Sequence, residues 1–122
     1  MAMTHEVGEL RDRITLQRRA VDGNGDRLGD WEAGTLRRWT KVVNLRGGEG
    51  VLQARLQGNQ PVLLVVRADP ETRAIDNSFR AINHRTRQIY DLSAASETTD
   101  RTWIEALGVA KSGEVYAGEL ED

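Results

Sequence analysis

Cysteine is absent from the 122-residue chain, which removes disulfides, thiolate nucleophiles and cysteine-ligated zinc together. That absence suits folding in a reducing cytoplasm. Only two prolines interrupt the chain and its glycines are scattered, so no domain-separating linker and no internal repeat emerge. Aromatics are few as well: three Trp, two Tyr and one Phe. The core must therefore be built mainly from Val, Leu, Ile and Ala. The longest apolar stretch, Val62–Val66, is far too short to cross a bilayer. Met1–Arg13 is polar and unlike a signal peptide, so a soluble chain without a membrane partner is expected. A basic excess is missing too, the formal net charge being −2. Arg18-Arg19, Arg37-Arg38 and Arg85/Arg87 are offset by acids elsewhere, which argues against avid binding to DNA phosphates.

What the chain does contain is a succession of short extended segments. Arg13–Arg18 alternates, with Ile14 and Leu16 on one face, as in a half-buried strand. Asp22-Gly23-Asn24-Gly25-Asp26 then offers turn residues. A second extended stretch covers Leu36–Leu45, with Trp39, Lys41 and Val43 on one face and Thr40, Val42 and Asn44 on the other. Arg46-Gly47-Gly48-Glu49-Gly50 breaks it. In Val51–Asn59, Leu52, Arg55 and Leu56 fall at helical spacing, so a short helix and an extended polar loop are both open. After Pro61, the β-branched run Val62–Val66 reads as a strand buried on both faces. Arg67–Asn77 is a polar connection. Phe79–Asn83 and Gln88–Leu92 form a strand pair around a tight turn at His84-Arg85-Thr86, and Thr102–Leu107 is a last strand. The expected fold is mainly β: an antiparallel barrel of about six strands in one domain. Its body covers about residues 8–108, followed by a flexible acidic tail over 111–122.

Few side chains suggest chemistry. His5 and His84 stand in polar surroundings without a second His at ligand spacing, so surface positions are expected and no metal site is assigned. Glu49 sits among glycines with no partner acid, base or nucleophile placed beside it. Gly47-Gly48-Glu49-Gly50 lacks the Lys-Ser/Thr of a phosphate-binding loop. No catalytic residue and no cofactor are assigned, and a non-enzymatic role is expected.

The order of these features resembles a known family. Gly8-Glu9-Leu10-Arg11-Asp12-Arg13-Ile14 resembles the opening G-x-L-R-x-R-I of phage head-tail joining, or head-closure (stopper), proteins of long-tailed phages and gene transfer agents. The likeness continues through Trp31, the Trp39–Glu49 strand and Gly-Glu segment, and Val62–Val66 with Arg67. It ends with Ser78-Phe79-Arg80, Arg87–Asp91 and Trp103–Leu107, covering about residues 7–108. The second strand ends in Val42-Val43 where members usually carry an aromatic and an Ala, and Gly47-Gly48-Glu49-Gly50 is unusually rich in glycine.

The resemblance implies a virion neck subunit assembled in the host bacterial cytoplasm. Its copies would form a ring, expected as a hexamer with a dodecamer as alternative. The ring would sit below portal and adaptor and above the tail terminator or tail tube. It would close the exit channel on packaged double-stranded DNA without reading sequence. Closure is attributed in the family to a long loop between the second and third expected strands, here Arg46–Gln60. Within it, Gly47, Gly48 and Gly50 are the expected hinge. Arg46, Glu49, Gln53, Arg55, Gln57, Asn59 and Gln60 are the polar groups that could touch neighbours or phosphate. Trp31, Trp39 and Trp103 are candidate interface anchors, because Trp favours such positions. Two alternatives remain at this point: another neck component (tail terminator or adaptor), and a small barrel binding nucleic acid by stacking bases on aromatics.

Overall fold

The structure, a computed structural model, describes residues 5–32 and 36–120. Alternating segments become strands wherever their apolar positions can share one interior. The strands are β1 (Asp12–Val21), β2 (Arg27–Trp31), β3 (Leu36–Asn44), β4 (Asn59–Arg67), β5 (Phe79–Asn83), β6 (Gln88–Glu97) and β7 (Trp103–Val115), with one helix, α1 (Glu49–Leu56), between β3 and β4. All pairings are antiparallel. The ladder runs β1-β3-β4-β7-β6-β5, and β5 returns to β1, so six strands close a barrel. β2 is an additional strand, paired with β1 beyond the β3 ladder.

Ile14, Leu16, Val62, Leu64, Val66, Phe79, Ala81, Tyr90, Leu92, Ile104 and Ala106 fill the interior. Each large apolar side chain buried this way contributes about 1.5–3 kcal/mol relative to exposure. β7 and β6 approach closely at Gly108, where a Cβ would lie 2.9 Å from Leu92 Cδ2 and 3.0 Å from the Asp91 carbonyl. Turn chemistry then fixes the register. The Asn83 side-chain carbonyl accepts backbone N–H bonds from Arg85 (2.9 Å) and Thr86 (3.4 Å). The Asp22 carboxylate accepts from Asn24 and Asp26, both at 2.9 Å, around Gly25 in the left-handed region.

Two boundaries differ from the sequence expectation, and one open choice is resolved. Arg27–Trp31 is a strand although its composition shows no alternation, because β1 runs on to Val21 and offers it an edge. β7 continues through Lys111–Val115, where composition suggests a tail, because Gln88 at the start of β6 pairs with Val115. The helical option, not the extended loop, holds for the segment after Gly48. Glu121 and Asp122 of the acidic tail lie outside the described residues.

Outside the barrel the chain builds a second small core. The segment preceding β1 crosses the outer face of β4 and β7, where Leu10 meets Val65 and Trp103, with Leu63 beside them. β4 is thus buried on both faces, as its composition suggests.

Candidate functional site

The β3–β4 connection rises from the end of the barrel at which β3 and β5 finish and β4 and β6 begin. Its base is clamped: the Leu45 N–H donates to the Pro61 carbonyl (3.0 Å). The Gln60 amide donates to the carbonyls of Leu45 (2.8 Å) and Pro61 (2.7 Å). Above this clamp nothing is anchored deeply, since α1 has no buried residue. Gly48, the residue before the helix, has φ 94° and ψ 154°, a backbone conformation reserved almost wholly for glycine. Gly58, just past the other end, has φ 83° and donates its N–H to the Arg55 carbonyl at 3.0 Å.

The sequence-derived loop residues therefore divide. Arg46, Gly47, Gly48, Glu49, Gly50, Gln53, Arg55 and Gln57 lie on the exposed connection. Asn59 and Gln60 belong to β4, Asn59 opposite Lys111 and Gln60 closing the base. Gly50 lies within α1, while Gly58, which the sequence reading passed over, takes the left-handed turn. The helix also presents Leu52 and Leu56 to solvent, 55% and 78% exposed. Their i, i+4 spacing was legible; their exposure was not.

The three tryptophans occupy different environments. Trp31 is half-buried with the guanidinium groups of Arg19 and Arg80 over its ring, at 4.9 and 4.3 Å. Arg80 also lies 5.6 Å from the Tyr116 ring and donates to Gln17 at 2.8 Å; burial pulls its pKa below the usual arginine value. Trp103 is only 6% exposed and packs under the N-terminal segment. His5 meets it edge-on at 6.0 Å. Trp39 is 55% exposed, with Arg13 5.6 Å above its ring.

His5 corrects the surface expectation, because its side chain is fully buried. Its Nε2 lies 2.6 Å from the Glu105 carboxylate and its Nδ1 3.4 Å from Lys41 Nζ. Lys41 also reaches Glu9 at 3.3 Å. The Glu6 backbone N–H and the Lys41 ammonium hold the Glu9 carboxyl below its ordinary range. His84 is half-buried, with Nε2 2.6 Å from the Thr15 hydroxyl.

Beside the N-terminal segment lies an outer groove of about 670 Å³. Val7, Leu10, Trp39 and Ala68 form its walls; Arg13, Arg38, Arg67 and Asp69 line it as well. Arg38 is engaged by Asp69 (3.2 Å) and Glu71 (3.0 Å). Burial pushes the Asp69 carboxyl upward, but the Thr72 N–H and Arg38 outweigh it and keep the group below the usual carboxylate value. Arg67 and Arg13 have no carboxylate partner among the described residues. Among those residues no group of three or more metal-ligating side chains occurs, and no helix is long and apolar enough to cross a membrane.

Two solved structures share the fold. A chain of the virion of a native gene transfer agent particle is 22% identical, with TM-score 0.53, over 81% of this chain and 92% of that one. The solution structure of protein SF1141 from Shigella flexneri 2a is 21% identical, with TM-score 0.56, over 89% and 97%. No curated protein matches. The family description "Phage head completion protein" matches residues 6–108, from the N-terminal segment into the first half of β7. By that match over most of its length, the chain belongs to the phage head completion proteins, a family of structural virion components.

Proposed function

We propose that this head completion protein acts as a stopper in the virion neck. Copies of the barrel assemble into a ring, a hexamer in the simplest case, below the portal and adaptor. The Arg46–Gln60 arm of each copy reaches into the channel, and the arms together narrow it below the width of a DNA duplex. The opposite side of the ring receives the tail terminator or tail tube. The role is structural and involves no catalysis, cofactor or sequence-specific contact with DNA. Assembly takes place in the cytoplasm of the host bacterium.

One observation carries this reading: an arm without buried residues, bracketed by Gly48 and Gly58 in glycine-type conformations, stands on a clamped base at one end of a closed barrel. Blocking and release need only two arm positions separated by a few kcal/mol. A strand-built body also favours the stopper over an adaptor, which in this kind of neck is mostly helical.

Replacing Glu49–Gln57 with a short Gly-Ser bridge removes the arm and leaves the clamp. Particles carrying that variant should assemble with the subunit in place and lose packaged DNA before tail attachment, read as nuclease-sensitive DNA. Full retention of DNA by such particles would refute the gating role.

A further inference from the structure

The outer groove is unexplained by the gating arm. It combines an exposed Trp39 with an exposed Val7, 55% and 58%, and with two guanidinium groups, Arg13 and Arg67, that face no carboxylate among the described residues. Aromatic and arginine side chains around an apolar depression are the composition of an energetic centre in protein interfaces. The ligand that fits is a short segment with an apolar side chain flanked by carboxylates.

The chain carries one such segment itself. After Lys111 there is no Lys or Arg, and Glu119-Leu120-Glu121-Asp122 places a leucine between acids. In its own subunit the residues just before this segment are held on the barrel, away from the groove. The Tyr116 N–H donates to the Arg87 carbonyl and Arg87 donates to the Gly118 carbonyl, both at 2.8 Å. Tyr116 also stacks near Arg80, and neither Glu119 nor Leu120 lines the groove. Glu119 is exposed, with no ion-pair partner among the described residues.

We propose that the groove receives the C-terminal segment of a second copy, with Leu120 against Trp39, Val7 and Leu10 and the flanking carboxylates on Arg13 and Arg67. Donor segment and acceptor groove are different surfaces, so the contact is head-to-tail and a joined pair keeps one free donor and one free acceptor. A chain of such contacts closes into a ring when the rotation between copies permits. The inference rests on the ring reading and specifies one contact that holds the ring together.

The natural absence of cysteine makes the test clean. A full chain carrying Ala68→Cys in the groove and Leu120→Cys in the segment is oxidised at assembly concentration and run on a non-reducing gel. A ladder of linked multimers is expected, and adding Arg67→Glu should lower its yield about tenfold, the equivalent of 1.4 kcal/mol. A fast-migrating monomer closed within one chain, or an unchanged ladder with Arg67→Glu, overturns the proposal. Absence of any link while light scattering shows wild-type rings refutes the groove contact and leaves the ring standing. Absence of both links and rings overturns the contact and the ring together.

Discussion

β4 and α1 are neighbours in the chain, separated by only Gln57 and Gly58, yet they are held by different physics. β4 has partners on both edges and apolar cover on both faces, the barrel interior on one side and the Leu10–Trp103 cluster on the other. α1 has no fully buried residue: Val51 and Ala54 are half-covered beside β4, and the rest relies on the helix's own backbone hydrogen bonds and its two flanking glycines. An isolated helix of this length is marginal in water. The contrast teaches that the molecule confines its freedom to one place: the wall unfolds only with the whole barrel, whereas the arm can unfold alone.

Breaking the wall should have the largest effect. Leu64, 2% exposed at the centre of β4, packs into the closed interior, so Leu64→Ala should lower global stability by about 2–5 kcal/mol, measured as the urea unfolding midpoint. Straining the arm should act locally. A β-branched residue at φ 94° costs about 1–3 kcal/mol. Gly48→Val should therefore reduce hydrogen-exchange protection in α1 by roughly five- to 150-fold while leaving the β4 amides unchanged. The smallest effect belongs to the apolar face of the arm: Leu56→Ser, at a site 78% exposed, should change the unfolding free energy by less than about 0.5 kcal/mol. A large loss from Leu56→Ser would mean that the arm is part of the folded body after all.

The same division decides what was legible in the sequence. Val62–Val66 announces a strand because five consecutive β-branched or leucine side chains can only be satisfied by burial on both faces. Ile14 and Leu16 announce theirs by alternation, and the tight turn at His84–Thr86 follows from its place between two strands. The barrel and the family resemblance were thus within reach of one-dimensional pattern. β2 and the end of β7 were not, because their positions are imposed by partner edges on β1 and β6 rather than by their own composition. His5 was misjudged for a related reason: the carboxylate that accompanies its burial, Glu105, lies a hundred residues away. In the candidate arm, Leu52 and Leu56 were visible as a helical pair, but only the fold shows that no wall stands opposite them. The groove around Trp39 was invisible altogether, since its lining comes from the N-terminal segment, β1, β3 and the exit of β4.

Closure of the ladder has one more consequence. With β5 returning to β1, the barrel strands pair most of their main-chain edges with one another, and an outer edge remains on β2 and on β6 beyond Asp91. The body is therefore poorly suited to grow by adding strands from other molecules, the route by which open sheets aggregate. Contacts made by the barrel wall must be written in side chains, which can be strong in one orientation and worthless in the next. Such a subunit meets its own copies and its neighbours in a growing particle in one orientation only.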